Sequence, residues 1–104
     1  MYSFEADLDV VKVEMEGGVA RLFLGSNAVV EVPSKFAAGV GKKIHLKISE
    51  ERDEPSNWSV YMWGVVYASG KNSYRISAGG FIVGLDNVDK PPQVGTKLYI
   101  GIKY

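Results

Sequence analysis

The chain has 104 residues, the size of one domain that can bury a hydrophobic core without disulfides or bound metal. It contains no cysteine, which excludes disulfides, thiolate catalysis and zinc sites of the finger or ribbon type. Twelve basic residues balance twelve acidic ones, which argues against a protein whose main task is to neutralise nucleic-acid phosphates.

Short alternating apolar segments, separated by glycine, proline and charged residues, predict an all-β domain over residues 1–104. The predicted strands cover residues 2–16, 19–24, 28–32, 42–49, 58–68, 73–77, 81–85 and 96–103. The only helical signal follows Pro33, which should end the third strand, and Ser34 could cap one turn over residues 35–38. Charged loops with proline are predicted at residues 50–57 and 86–93.

The first predicted strand changes phase in its middle. Alternation runs in one phase up to Val10, and Val11, Val13 and Met15 then continue the apolar series in the other phase. Such a slip would turn every later side chain to the opposite face of the sheet. We therefore expect a bulge or sharp bend near Val10-Val11 that returns the later apolar residues to the inner face.

The two halves of the chain resemble each other without gaps at an offset of 94 − 40 = 54 residues. Residues 40–48 align with residues 94–102, and both segments alternate in the same phase. This repeat predicts two similar four-strand halves. Eight antiparallel strands of this spacing most naturally close into a small barrel or pack as a sandwich, and closure removes exposed strand edges.

The central segment, residues 58–68, carries apolar or aromatic side chains on both faces of its predicted strand. One small barrel buries only one face of each strand, so some of Trp58, Tyr61, Trp63 and Tyr67 should lie outside the core. Exposed aromatic rings serve base stacking or a protein interface, and the balanced charge favours the interface. Alternatively, a loop or the short helical turn covers these rings.

Two adjacent glycines, Gly79 and Gly80, interrupt the strand pattern that follows. They predict a β-bulge or, alternatively, a surface pressed against the backbone of another protein. They precede a strand and not a helix, so neither a P-loop nor a dinucleotide-binding turn is indicated.

No set of residues predicts catalysis or metal binding. His45, the only histidine, lies on the outward phase of a strand between Lys43 and Lys47, as a solvated surface residue would. No serine stands in a nucleophile-elbow context. Asp7 and Asp9 share a strand face and could chelate a cation, but alternating acidic residues usually only solvate such a face. We therefore expect no cofactor and no metal.

The central segment resembles a known family. Residues 60–67 read Val-Tyr-Met-Trp-Gly-Val-Val-Tyr, and residues 77–85 read Ser-Ala-Gly-Gly-Phe-Ile-Val-Gly-Leu. The eighth subunit of archaeal and eukaryotic nuclear DNA-directed RNA polymerases carries a similar Tyr-Val-Met-Tyr-Gly-Lys-Val-Tyr strand. A Ser-x-Gly-Gly-Leu-Leu-Met-x-Leu strand follows it in that family. The similarity continues in register through residues 4–10, 32–48 and 94–103.

This chain departs from the family pattern at three places. Val65 stands where the family usually has lysine, and residues 81–83 read Phe-Ile-Val where it has Leu-Leu-Met. The long acidic loop of the eukaryotic proteins is reduced here to Glu50–Asn57. The compact form is similar to the archaeal branch.

The resemblance implies an eight-stranded antiparallel barrel of the oligonucleotide/oligosaccharide-binding (OB) type with pseudo-twofold symmetry. It implies a non-catalytic, cytoplasmic subunit that docks on the outside of the largest polymerase subunit, contacts no membrane, touches nucleic acid at most indirectly and is monomeric when isolated. The interface residues it suggests are Tyr61, Trp63, Gly64, Tyr67, Gly79, Gly80, Phe81 and Ile82.

The alternative is a free-standing single-stranded nucleic-acid-binding protein of the same fold. That function needs aromatic rings flanked by cations along one groove. The candidate cations are Lys43, Lys71, Arg75 and Lys97.

Overall fold

Alternating apolar residues form eight antiparallel strands in the computed structural model, which describes residues 1–104. The strands are β1 (Ser3–Glu16), β2 (Val19–Leu24), β3 (Ala28–Pro33), β4 (Lys43–Ser49), β5 (Val60–Ser69), β6 (Tyr74–Ala78), β7 (Phe81–Leu85) and β8 (Lys97–Lys103). The only helices are two short 3₁₀ helices, Ser34–Gly39 and Pro55–Asn57. Neither has the length or apolar character needed to cross a membrane.

The strands close into one barrel with the order β1-β2-β3-β7-β6-β5-β8-β4, in which β4 returns to pair with β1. If β1, β2, β3 and β4 are exchanged with β5, β6, β7 and β8, the order of strands around the barrel is unchanged. A pseudo-twofold axis therefore passes between β3 and β7 and between β4 and β8. The predicted repeat is confirmed, since adding 54 to the bounds of β4 gives those of β8, Lys97–Lys103. The architecture is an OB-fold-like barrel.

The core is formed by the inward-facing residues of all eight strands. The fully buried aliphatic residues include Leu22, Leu24, Val30, Ile44, Leu46, Ile48, Ile76, Val83, Leu85, Leu98, Ile100 and Ile102. Each such side chain contributes about 1.5–3 kcal/mol through removal of apolar surface from water. Tyr74 is also fully buried, and its hydroxyl donates to the hydroxyl of Tyr2 at 2.9 Å. Burial raises the pKa of Tyr74, so the ring remains neutral.

The predicted bulge in β1 is confirmed, because the pairing with β2 shifts register between Val10 and Lys12. Val13 and Met15 pair with the buried Leu22 and Ala20, so they share the inner face of that hairpin. They therefore lie on the predicted inner face, but they are 39% and 60% exposed. The pairing of β1 with β4 ends at Asp9–Lys43, and the rest of β1 extends beyond the barrel.

The connection after β3 differs from the predicted one. Pro33 is the last residue of β3, and Ser34 is the first residue of the 3₁₀ helix, where its side chain makes no capping hydrogen bond. The expected serine cap is therefore wrong. The helix Ser34–Gly39 is held instead by packing, since Phe36 and Ala37 lie against the core. Alternation along residues 42–49 predicts that Ser49 faces solvent, but Ser49 is buried, and its Oγ accepts a hydrogen bond from Glu51 N at 3.1 Å.

The interpretation of Gly79-Gly80 as a β-bulge is wrong. The two glycines form a two-residue hairpin turn between β6 and β7, with Ala78 paired to Phe81. Their φ angles of +61° and +94° lie in the left-handed region that glycine adopts without steric strain. A Cβ at either position would meet nothing within 4 Å, so these glycines are required for their φ angles and not for close packing.

Candidate interaction surface on β5

The outward-facing residues of β5 form an apolar and aromatic strip, which we call the β5 face: Tyr61, Trp63, Val65 and Tyr67. Val60, Gly64 and Val66 alternate with these residues and are buried on the barrel side. Trp63 is 55% exposed and Tyr67, the extra residue of a second bulge, is 51% exposed. As the sequence predicts, rings of this segment lie outside the core.

Aromatic stacking supports one end of this face. The Trp58 ring stacks between His45 and Tyr61, and Tyr61 stacks in turn on Tyr99, with centroid separations of 6.0, 6.5 and 6.1 Å in that order. Trp58 lies flat on β8 because Gly101 has no side chain there. A Cβ at Gly101 would be 2.5 Å from the Trp58 Cδ2 atom.

Asp53 joins the loop of residues 50–57 to this stack. Its Oδ2 accepts a hydrogen bond from Trp58 Nε1 at 3.0 Å, and its backbone N donates to the hydroxyl of Tyr61 at 2.7 Å. Hydrogen bonds from the Glu54 amide and from Trp58 lower the pKa of the Asp53 carboxyl. The loop thus covers Trp58 and Tyr61 in part, whereas Trp63 and Tyr67 remain exposed.

Lys97 is the one cation that lies against the exposed rings. Its Nζ is 4.5 Å from the centroid of Trp63 and 5.2 Å from that of Tyr99. Such cation–π contacts contribute about 0.5–1 kcal/mol at exposed sites. Lys97 therefore orients Trp63 while its charge stays in contact with water.

An open strand edge adjoins the β5 face. β5 pairs with β8 from Val60 to Val65 but with β6 only from Val65 onward, so its edge over residues 60–64 has no partner strand. A cavity of about 620 Å³ lies beside this edge. It is lined by Pro33, Phe36, Ser59, Val60, Tyr61, Met62, Trp63, Gly64, Ser77, Ala78, Gly79 and Phe81. None of these lining residues carries a charge, which suits an apolar occupant.

Most of the suggested interface residues lie at this site. Tyr61, Trp63, Gly64, Gly79 and Phe81 all line the cavity, and Tyr67 extends the β5 face beyond it. Gly80 lies in the exposed turn next to Gly79. Ile82 is turned away from this site, since it lines a separate outer groove together with Phe23 and Val29.

Gly64 has a role within the domain. A Cβ at this position would be 2.4 Å from the carbonyl oxygen of Ser77 and 2.7 Å from Ile76 Cγ2. Glycine therefore lets β6 approach β5 closely where their pairing begins.

The four candidate nucleic-acid-binding cations are not brought into one groove. Lys43 and Arg75 form ion pairs with Asp9 at 3.7 Å and with Asp86 at 3.1 Å. Lys71 lies in the exposed turn between β5 and β6. Only Lys97 adjoins the aromatic rings.

Sequence reasoning missed a charged cluster around His45. The pairing of β1 with β4 brings Asp7 opposite His45. The ring contacts Glu5 Oε2 through Nε2 at 2.6 Å and Asp7 Oδ1 through Nδ1 at 2.7 Å. These hydrogen bonds, first that with Glu5, raise the pKa of His45 above its ordinary value. Alternation along β1 predicted the acidic row, but only the strand register reveals its partner.

The structure contains no group of three or more histidine, aspartate or glutamate side chains arranged to hold a metal ion. No protein-family model matches the sequence, and a search of curated proteins finds no match.

Proposed function

We propose that this chain is a non-catalytic structural subunit of an archaeal DNA-directed RNA polymerase that docks on the largest subunit through the β5 face. The observation that carries this proposal is the exposed pair Trp63 and Tyr67 beside an uncharged cavity and an open strand edge. The resemblance of residues 60–67 and 77–85 to the eighth polymerase subunit supports the choice of partner.

The β5 face has the composition of an interface centre. Tryptophan and tyrosine dominate the binding energy of many protein interfaces, because they present a large rigid surface with little entropy to lose. Trp63 is oriented by Lys97, and Tyr61 is held by its stack on Tyr99 and its hydrogen bond with Asp53. The open edge of residues 60–64 offers unpaired backbone groups to the same partner.

The arrangement around the only histidine supports a non-catalytic role. A general base needs a ring nitrogen that can reach a substrate proton. Both nitrogens of His45 are occupied by Glu5 and Asp7 in this structure. The cluster therefore acts as an ion pair between β1 and β4.

The contact of Lys97 with Trp63 and Tyr99 favours a second candidate function, the binding of single-stranded nucleic acid. Aromatic rings beside a cation stack on bases in proteins of this fold. The ion pairs of Lys43 and Arg75 count against a continuous cationic groove. Binding to short single strands that weakens steeply as salt rises would favour this alternative.

The proposed function is tested by co-purification of the tagged chain with the polymerase from archaeal cells. Trp63→Asp places a charge in the centre of the β5 face and should abolish co-purification. Val94→Asp is the matched control, since Val94 is 62% exposed and belongs neither to the β5 face nor to the cavity lining. Equal recovery of polymerase with both variants would refute the assignment of this surface.

A further inference from the structure

The hairpin of β1 and β2 carries a second open edge, independent of the β5 face. Beyond the bond from Val10 N to Lys42 O at 2.8 Å, nothing pairs with the outer edge of β1, and residues 11–16 are all exposed. Exposed apolar edge strands are normally shielded, because they present unpaired backbone groups to other chains. An edge of this kind next to Val13 and Met15 is therefore a candidate for a partner.

The turn geometry identifies the backbone groups on this open edge. Gly17-Gly18 is a two-residue turn, so the flanking residues Glu16 and Val19 exchange hydrogen bonds. Hydrogen-bonded and non-hydrogen-bonded pairs alternate along an antiparallel hairpin, so Glu14 also bonds to β2. The amide and carbonyl groups of Val13 and Met15 therefore point to the open side.

The second half of the barrel shows how such an edge is covered. There the bond from Val66 N to Thr96 O at 3.0 Å is the counterpart of the bond from Val10 N to Lys42 O, and the chain then continues along β5, with Gly95 N donating to Val66 O at 2.8 Å. Ser69 Oγ adds a bond to Pro92 O at 2.8 Å. The first half has no equivalent of this extended segment. The pseudo-symmetry thus indicates that an extended peptide fits beside β1.

The charges next to the edge define the chemistry of that peptide. On the outer face of β1, Glu14 pairs with Lys12 at 3.2 Å and lies opposite Arg21 across the hairpin, whereas Glu16 at the end of the strand makes no ion pair. The other face presents the apolar side chains of Val13 and Met15. A strand added here would place alternate side chains against an apolar and an acidic surface.

We propose that the open edge of β1 over Val11–Glu16 is a second docking site, which binds an extended segment of another protein in which apolar residues alternate with lysine or arginine. The segment adds a strand to β1, covers Val13 and Met15, and pairs a cation with Glu16. This proposal does not depend on the polymerase assignment, since it concerns another edge of the barrel.

The probe is the peptide acetyl-Arg-Val-Arg-Val-Arg-Val-amide, titrated into the full isotope-labelled chain and followed by nuclear magnetic resonance. Binding should shift the amide signals of Val13 and Met15 and slow their hydrogen exchange, because these amides gain acceptors. Met15→Lys should weaken binding by about tenfold, since it removes an apolar contact and adds a like charge. The matched control is Val94→Lys at a residue that is 62% exposed on the other half, and it should bind as the wild type does.

Two further peptides separate strand addition from charge attraction alone. Methylation of alternate peptide nitrogens should abolish binding, and replacement of arginine by glutamate should do the same. The proposal is overturned if either of these two peptides binds undiminished, or if the arginine–valine peptide does not bind or shifts only signals of β5. Self-association of the chain that Met15→Lys abolishes would also overturn it.

Discussion

Substitution of Gly64 tests the close approach of β5 and β6 directly. The Cβ of Gly64→Ala would lie 2.4 Å from Ser77 O, and real Cβ atoms essentially never come within 3.0 Å of such an atom. The two strands must therefore separate by at least 3.0 − 2.4 = 0.6 Å. The atom in the way belongs to the backbone, so no side-chain rotation relieves the contact.

The expected destabilisation follows from this displacement. Overpacking of a well-packed site costs about 1–3 kcal/mol. At roughly 4–8 °C per kcal/mol for a domain of this size, the melting temperature should fall by at least about 4 °C. Urea denaturation followed by tryptophan fluorescence measures the same change as a lower midpoint with an unchanged slope.

Gly41→Ala is the matched control for this experiment. Gly41 has no positive φ, and an added Cβ would meet nothing within 4 Å. The free energy of unfolding of the Gly41→Ala variant should differ from that of the wild type by less than about 1 kcal/mol. If Gly64→Ala is as stable as the wild type and as Gly41→Ala, the role assigned to Gly64 in strand packing is incorrect.

Two further predictions concern polar contacts. The pKa of His45 is raised by Glu5 and Asp7, so the added stability is fully present below the ordinary histidine pKa of about 6.5 and is lost as pH rises through the raised value. Nuclear magnetic resonance titration should show a lower pKa of His45 in Glu5→Gln, and an unchanged pKa would contradict the assigned contact. Tyr74→Phe should lower the free energy of unfolding by about 1 kcal/mol through loss of the bond to Tyr2, as measured by urea denaturation. A fully stable Tyr74→Phe variant would show that this buried hydroxyl contributes nothing.

The local sequence was sufficient to predict where the strands lie and that the two halves of the chain are equivalent. The strands are recognised by apolar residues at every second position. Gly17-Gly18 and Pro33 then locate strand ends, because glycine adopts positive φ and proline lacks an amide donor. The phase slip at Val10-Val11 identifies a bulge, since only an extra residue keeps one face apolar. The repeat then limits the topology to two equivalent halves.

The errors concern features that depend on how far a strand extends and on what lies beside it. Val13 and Met15 point to the inner face, but their exposure follows from the end of β4 pairing at Lys43, which alternation does not encode. The bulge predicted at Gly79-Gly80 is wrong because Ala78 pairs with Phe81 and the two glycines form the turn between β6 and β7; adjacent glycines fit a bulge and a hairpin turn equally well.

The candidate site was predictable in part. An excess of aromatic residues on both faces of residues 58–68 predicts that some rings lie outside the core, and Trp63 and Tyr67 do so. The cavity beside Phe81 was not predictable, because it arises where β5 diverges from β6. The contacts of His45 and Lys97 likewise depend on the pairing register between distant strands.

The proposed docking of the β5 face and its open edge on the largest polymerase subunit is tested most directly by amide hydrogen exchange. The exchange is measured for this chain alone and in complex with the purified largest subunit of an archaeal polymerase. The amides of Tyr61 and Trp63 should exchange quickly in the free chain and at least about tenfold more slowly in the complex, since the bound surface excludes water from them. Unchanged exchange at both amides in a saturated complex would contradict the account.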